Sequence, residues 1–172
     1  MYKNYIYGFL FFSSFFFNIN LGFAQCADGA SDPTPGSYVQ DQWTAYVYQF
    51  NNYNTTTFDY SNYRGYYIDA GYGANNLNID SDTYWGPSNS PSNASNTNYV
   101  GCSVTNDNHL VSYKRRGFPN ANYTINIAGQ GGADGHDDSA KLFIDGTQVW
   151  SHTGCCDTHN GVWSGTLDST SE

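Results

Sequence analysis

The sequence predicts an all-β protein, specifically an antiparallel β-sandwich of jelly-roll type. Two observations predict this fold class. No window keeps the 3.6-residue apolar spacing of an amphipathic helix. Instead, short runs rich in β-branched and aromatic residues are separated by Gly, Asn, Asp, Ser and Pro. Many short strands at such spacing are typical of a sandwich or barrel, and 172 residues are enough for one domain.

Residues 1–24 are predicted to be a secretory signal peptide. Lys3 precedes an apolar run from Tyr5 to Phe17, and small residues follow up to Ala24. This is the order of the n-region, h-region and cleavage site of exported proteins. The run is shorter than the ~20 residues that span a bilayer. We therefore expect residues 25–172 to form a single β-sandwich domain that is secreted or held at the cell surface.

Eight strands are predicted from composition and from the alternation of apolar and polar side chains. In residues 123–127, every second residue from Tyr123 is apolar and would form one apolar face. In residues 140–144, every second residue from Ala140 would do the same. Asp145-Gly146 then favours a two-residue hairpin, because both central positions of such a turn require positive φ. The predicted strands are Trp43–Phe50, Tyr63–Ile68, Asn76–Ile79, Leu110–Arg115, Tyr123–Ala128, Ala140–Asp145, Gln148–His152 and Val162–Leu167.

The end of the chain at Glu172 follows the last predicted strand closely. A sandwich normally covers such an edge with a further strand, because unpaired backbone groups invite pairing with other chains. We therefore expect that the sequence is truncated at its C-terminus and belongs to a longer protein.

The charge balance limits the classes of partner. Six Lys and Arg stand against 15 Asp and Glu, which gives a net charge of −9 at pH 7. Such a chain is repelled by nucleic acid and by anionic lipid surfaces. We therefore expect no nucleic-acid partner and no membrane insertion after signal cleavage, whereas cation binding suits this balance.

Four cysteines predict a disulfide-stapled domain, since an even number in an exported chain is typical of a disulfide framework. They are Cys26, Cys102, Cys155 and Cys156, and three pairings are possible. Neighbouring cysteines rarely bond to each other, because the small ring constrains the intervening peptide. We therefore expect Cys155 and Cys156 to bond to Cys26 and Cys102, in an order that the sequence leaves open.

The segment after the cysteine pair offers candidate ligand-binding residues. Asp157, His159 and Asn160 follow the pair, and disulfides that pinned this loop would hold their polar groups in a fixed arrangement. A zinc site is an alternative interpretation, because His152 and His159 flank the pair. Its spacing matches no structural zinc pattern, however, and export favours oxidised cysteines.

The acidic loop before the predicted hairpin is the main candidate for a metal site. Asp134, Asp137 and Asp138 lie within five residues, together with His136, in a glycine-rich stretch. Calcium takes ~6–8 oxygen ligands from carboxylates, carbonyls and water, and a flexible loop of this kind can supply several. The spacing differs from that of an EF-hand, and a solvated turn of an acidic protein is the alternative.

The patterns of catalytic residues do not predict an enzyme. A Gly-x-Ser-x-Gly nucleophile motif is missing, and the cysteines are expected to be oxidised. Asp137 and Asp138 are adjacent, so in a strand they would point to opposite faces rather than flank a glycosidic bond. Glu172 is the only glutamate, and no side chain stands out as a general acid.

Two stretches resemble the protective-antigen fourteen-kilodalton domain. They are Phe118-Pro-Asn-Ala-Asn-Tyr123-Thr-Ile-Asn-Ile127 and Gly135-His-Asp-Asp138-Ser-Ala-Lys-Leu-Phe-Ile-Asp145-Gly146, within a segment from Phe118 to Trp163. The family is a β-sandwich found in bacterial toxins, glycosidases and yeast flocculin-type adhesins. The Cys-Cys-Asp-x-His loop and Tyr63-Arg-Gly-Tyr-Tyr look like a variant module of exported surface proteins of the Bacteroidota type.

The resemblance implies a calcium site at Asp137 and Asp138. In the adhesin branch, two aspartates joined by a cis peptide bond hold a Ca²⁺ ion that contacts sugar hydroxyls, and these two residues match that pair. An Asn from a later loop completes the shell in the adhesins. Here that loop is either absent or replaced by residues 157–160.

The resemblance also implies a function. We expect a secreted carbohydrate-binding or adhesion module that depends on Ca²⁺, with a glycan or cell-surface polysaccharide as its partner. One alternative is a ligand-free structural spacer of a larger surface protein. Another is an accessory domain of a secreted glycoside hydrolase.

Overall fold

The computed structural model describes residues 38, 40–52, 54–69, 71, 76–79, 81, 90–93, 99–128, 135–136 and 138–172. In this part of the chain the protein is mostly β, with antiparallel sheets and a short 3-10 helix at Pro91–Asn93. No helix of the described residues is long and apolar enough to cross a membrane. The predicted signal peptide, Cys26, Asp134 and Asp137 lie outside the described residues. The strands are β1 (Trp43–Gln49), β2 (Tyr63–Asp69), β3 (Val100–Gly101), β4 (His109–Lys114), β5 (Ala121–Ile127), β6 (Ala140–Ile144), β7 (Thr147–His152) and β8 (His159–Leu167).

A four-stranded sheet in the order β3-β2-β1-β4 carries the hydrophobic core. Ala45 and Val47 on β1 and Tyr67 on β2 are fully buried. Strand β1 is buried on both faces, because its buried positions come in adjacent pairs and neighbouring residues of a strand point to opposite faces. Its two edges pair with β2 and β4. The hydroxyl groups of Tyr67 and Tyr113 lie 2.7 Å apart, which gives the polar end of the buried tyrosine a hydrogen-bond partner.

Two further antiparallel ladders, β5-β8 and β6-β7, position the candidate site. Asp145 and Gly146 join β6 to β7 with φ angles of 49° and 73°, so the predicted hairpin is confirmed. Ala140, at the start of β6, lies opposite His152, at the end of β7. His159 begins β8 opposite the last residue of β5. The loop before β6 and the loop between β7 and β8 therefore meet at one end of these ladders.

The strand predictions differ from the structure at two places. Asn76–Ile79 forms no strand; instead, the carbonyl oxygen of Leu77 accepts a hydrogen bond from Trp43 Nε1 at 3.1 Å. Strand β3 is missing from the sequence prediction, because two residues are too few to show an alternation. The other predicted strands are confirmed, with ends that differ by a few residues.

Arg115 ties the four-stranded sheet to the segment that leads into β5. Its side chain is buried, and its Nε donates a hydrogen bond to the carbonyl oxygen of Gly117 at 3.0 Å. The guanidinium carbon lies 6.0 Å from the ring centre of Trp43 and 5.3 Å from that of Phe118. Burial of this cation is therefore offset by a hydrogen bond and by two aromatic faces.

Candidate metal centre

Three of the four histidines of the chain come together beside the β6-β7 hairpin. His136 lies in the loop before β6, His152 ends β7 and His159 begins β8. One ring nitrogen from each lies within 4.8 Å of those of the other two, and all three side chains are partly buried. We call these three residues the tri-histidine cluster. Imidazole nitrogens at such spacing are suited to share a transition-metal ion.

The tautomer of His136 is set by its backbone neighbour. His136 Nδ1 lies 2.6 Å from the carbonyl oxygen of Asp138. A carbonyl oxygen only accepts hydrogen bonds, so Nδ1 carries the proton and Nε2 of the neutral ring keeps a lone pair. Histidines that ligate metals are typically oriented by a bond of this kind.

His136 and His159 face each other through the nitrogens that a metal would share. Their Nε2 atoms lie 3.1 Å apart, and the two rings are nearly parallel, with an interplanar angle of 8°. Two imidazole ligands of a tetrahedral zinc ion, each at ~2.0–2.1 Å, have nitrogens ~3.3 Å apart. The pair is therefore already at the spacing that a shared ion requires.

His152 adds the third nitrogen and carries its own carboxylate neighbour. Its Nε2 lies 3.6 Å from Asp157 Oδ2, while its Nδ1 is buried and has no hydrogen-bond partner. A buried polar atom without a partner is costly, and an ion at the cluster would give Nδ1 one. Asp157 then fits the role of an orienting carboxylate behind a metal-bound imidazole.

Trp150 forms an aromatic wall beside the cluster. Its ring stacks on His152 with an interplanar angle of 10° and a centroid distance of 6.2 Å. Its centroid lies 5.0 Å from that of His159. These contacts limit the orientations that the imidazole rings adopt, which lowers the entropy cost of binding an ion.

Burial lowers the pKa of His136 from its usual value. Desolvation is the main cause, and the neighbouring rings of His152 and His159 act in the same direction, because another positive charge nearby would be unfavourable. The hydrogen bond to the carbonyl of Asp138 and the charge of Asp157 oppose this effect. The net shift favours the neutral ring, which is the form that binds a metal.

Cys155 and Cys156 are bonded to each other, so the prediction that each bonds to a distant cysteine is wrong. Their Cα atoms are 3.7 Å apart. The physical reason is a turn: Gly154 has φ of 105° and Cys156 has φ of 71°, whereas the prediction assumed an ordinary backbone. Cys102 is disulfide-bonded as well, and its partner lies outside the described residues. Because the neighbouring pair is oxidised, it offers no thiolate to a metal.

The loop that carries this disulfide is hydrogen-bonded to the backbone around His136. The Cys156 amide donates to the carbonyl oxygen of His136 at 3.0 Å, and the Gly135 amide donates to that of Asp157 at 3.1 Å. Cys155 and Cys156 themselves are exposed. The vicinal disulfide therefore lies next to Asp157, the carboxylate neighbour of His152, and the backbone of Cys156 is hydrogen-bonded to that of His136.

The other predicted site residues take different positions. Asp138 has φ of 65° and contributes its carbonyl oxygen to His136, while Asn160 is exposed at the start of β8. The peptide bond between Asp137 and Asp138 lies outside the described residues. Of the candidate ligand-binding residues, His136 and His159 belong to the tri-histidine cluster, and Asp157 lies beside His152. His152 is missing from the predicted ligand-binding residues. It is named only in the alternative interpretation of a zinc site, because it flanks the cysteine pair.

Apart from the tri-histidine cluster, an open cleft lies between the loop before β6 and the four-stranded sheet. Its volume is about 50 Å³, and its lining includes Phe50, Phe58, Asp107 and Asp138. The rings of Phe50 and Phe58 meet edge to face at 5.9 Å, and Lys141 Nζ lies 5.3 Å from the centre of the Phe58 ring. The cleft thus combines aromatic faces with polar side chains.

Comparison with known proteins gives no match: no protein-family model, no curated protein and no solved structure is similar to the chain at a significant level. The resemblance of residues 118–163 to the protective-antigen fourteen-kilodalton domain therefore stays a prediction. What the site does has to be argued from its own chemistry.

Proposed function

We propose that this protein binds a divalent transition-metal ion, with Zn²⁺ as the first candidate, through His136, His152 and His159. The observation that carries the proposal is the convergence of their three ring nitrogens within 4.8 Å. The carbonyl of Asp138 supports it, because it keeps the proton of the neutral His136 ring on Nδ1, so that Nε2 carries a lone pair rather than a proton.

The ligand type favours a transition metal over calcium at this cluster. Imidazole nitrogen suits Zn²⁺, Cu²⁺ and Ni²⁺, whereas Ca²⁺ takes oxygen ligands almost exclusively. Affinity for such nitrogen sites normally rises from Ni²⁺ to Cu²⁺ and falls again at Zn²⁺. The ion proposed here therefore differs from the Ca²⁺ ion that the sequence predicts at Asp137 and Asp138.

Competition with a chromophoric chelator tests the proposal. We expect the purified, oxidised protein to bind one Zn²⁺ ion, and the single variants His136→Ala, His152→Ala and His159→Ala to lose at least about 10-fold in affinity, because each removes a direct ligand. His109→Ala is the matched control, since His109 is the fourth histidine and its Nδ1 contacts the carbonyl of Thr105. Equal affinity in all four variants would overturn the proposal.

A second candidate function is Ca²⁺-dependent carbohydrate binding or adhesion by a secreted β-sandwich of jelly-roll type. The cleft that Phe50 and Phe58 share with Asp107 and Asp138 favours it, because aromatic rings stack on sugar C–H faces while carboxylates accept from hydroxyl groups. The partner would be a glycan or cell-surface polysaccharide, and Asp137 and Asp138 would hold the ion.

Two assays on the same set of variants distinguish the two candidate functions. A glycan array probed with and without Ca²⁺ is expected to lose its signal in Asp137→Asn/Asp138→Asn but not in the triple histidine variant, if the cleft binds sugar. Zn²⁺ competition on the same proteins is expected to show a large loss in the triple histidine variant. A wild-type protein that gives no signal on the array, with or without Ca²⁺, would exclude sugar binding and leave the metal proposal unaffected.

A further inference from the structure

The vicinal disulfide is accessible to reductants. Cys155 and Cys156 are both exposed and lie in the loop between β7 and β8. We infer that Cys155–Cys156 is a redox-active site that accepts two electrons from a dithiol reductant, and that its reduction weakens metal binding at the tri-histidine cluster. The second part of this inference rests on the proposed function.

The reaction is a thiol–disulfide exchange. A thiolate of the reductant attacks one Sγ atom and forms a mixed disulfide; the Cys155–Cys156 bond breaks, and the leaving sulfur takes the electron pair and then a proton. The second thiol of the reductant attacks the mixed disulfide and releases the other cysteine as a thiol. Two electrons and two protons pass to the protein, and the reductant becomes a disulfide.

The coupling to the cluster runs through the backbone of Cys156. This residue has φ of 71°, a conformation that disfavours side chains with a Cβ atom. The disulfide ring holds it there, and in that conformation its amide donates to the carbonyl oxygen of His136 at 3.0 Å. Once the bond is cut, Cys156 is free to adopt an ordinary negative φ, which turns this amide away from His136.

The next residue extends the effect to a second ligand. Asp157 follows Cys156 directly, accepts the Gly135 amide through its carbonyl at 3.1 Å and lies 3.6 Å from His152 Nε2 through its carboxylate. Reduction therefore loosens the segment that carries His136 and also the carboxylate that orients His152. Loss of such orienting contacts typically lowers metal affinity by ~10–100-fold.

Zn²⁺ affinity in both redox states tests this inference. The oxidised protein, the protein treated with a phosphine reductant and the variant Cys155→Ser/Cys156→Ser are titrated against a chromophoric chelator. We expect the reduced protein and the variant to bind Zn²⁺ ~10–100-fold more weakly than the oxidised protein. Circular dichroism of each sample checks that the β-structure is retained.

The variant separates this disulfide from that of Cys102, which the reductant also cleaves. The reductant should leave the Zn²⁺ affinity of Cys155→Ser/Cys156→Ser unchanged, whereas a loss on reduction as large in the variant as in the wild-type protein would assign the effect to Cys102 and overturn the inference. Equal affinity of the oxidised protein and the variant would also overturn it while leaving the proposed function intact.

Absence of Zn²⁺ binding in the oxidised protein would instead refute the proposed function and, with it, the coupling. Tighter binding with a thiolate-to-metal charge-transfer band in the Co²⁺-loaded reduced protein would show that the cysteines become ligands, contrary to the inference.

Discussion

His136 Nδ1 and the carbonyl oxygen of Asp138 lie 2.6 Å apart, across one intervening residue. The contact fixes which nitrogen of His136 is free, and the loop before β6 thereby presents a lone pair to His159. In this acidic loop, the backbone carbonyl of Asp138, rather than its carboxylate, therefore sets the tautomer of His136. The role of Asp138 in the cluster is carried by its main chain, so a side-chain substitution there is a weak test of it.

Zn²⁺ should stabilise the protein against heat. An ion that binds only the folded state at 100 times its Kd adds about 2.7 kcal/mol, which for a chain of this size raises Tm by roughly 5–10 °C. Differential scanning calorimetry with Zn²⁺ and then with excess chelator measures the shift and its reversal. The variant His136→Ala/His152→Ala/His159→Ala should show no shift, and an equal shift in that variant would place the ion elsewhere.

Asp157→Asn should weaken Zn²⁺ binding by roughly 10-fold, because an amide orients His152 less strongly than a carboxylate does. The stability of the metal-free protein should hardly change, since the Asp157 side chain is 59% exposed. The Co²⁺ spectrum should keep its shape, because the three direct ligands are retained. Asp145→Asn is the matched control: it removes the same charge at the turn between β6 and β7. An equal loss in both variants would point to net charge rather than to orientation.

Gly65→Ala should destabilise the fold by roughly 1–3 kcal/mol. A Cβ atom at residue 65 would overlap the carbonyl oxygen of Val100 and lie 2.6 Å from the hydroxyl oxygen of Tyr99, so β2 and β3 would have to separate. Gly146→Asn is the control, because nothing lies within 4 Å of a Cβ there and Asn tolerates φ of 73°. Urea unfolding measures both, and a similar loss at the two positions would contradict the close approach of β2 and β3.

Alkaline pH should destabilise the protein between about pH 10 and pH 12. Burial raises the pKa of Tyr63 and Tyr99 to about 12, from 10.0 in the unfolded chain, because the charged phenolate is poorly solvated there. The folded state then holds protons that the unfolded state has lost. The stability that these groups contribute is complete below pH 10 and is lost as the pH rises through the folded value.

Tyr99→Phe isolates one of these groups. It should flatten the fall in the free energy of unfolding between pH 10 and pH 12. It also removes the hydrogen bond that the hydroxyl donates to the carbonyl oxygen of Cys102 at 2.7 Å, so some stability should be lost at neutral pH as well. Urea unfolding at a series of pH values measures both effects, and an unchanged slope would show that Tyr99 does not carry this dependence.

The sequence predicts local structure well where a short pattern has one physical meaning. Asp145-Gly146 requires positive φ at both positions, and the hairpin forms there. The tri-histidine cluster is harder to predict, because His136 and His152 are joined only through the register of β6 with β7, and that register shifts between Leu142 and Phe143. A shift of one residue reverses the face of every side chain that follows.

The cysteine pair shows a second limit of prediction from sequence. The expectation that adjacent cysteines do not form a disulfide assumes an ordinary backbone conformation. A cysteine at position 156 does not predict its φ of 71°. The disulfide ring holds Cys156 in that conformation, and the loop is hydrogen-bonded to residues 135–136, but neither contact is visible in the residue types. The sequence therefore predicts some residues of the site but not the Cys155–Cys156 disulfide beside them.

Trp150 has a practical consequence for work on this protein. Its indole is in ring contact with all three imidazoles of the cluster, with centroid distances of 6.0 Å to His136, 6.2 Å to His152 and 5.0 Å to His159. Tryptophan emission is sensitive to the charge of a neighbouring imidazole and is quenched by paramagnetic Cu²⁺. The molecule thus contains an intrinsic fluorophore beside the tri-histidine cluster, and the proposed binding of an ion there can be tested optically without any attached dye.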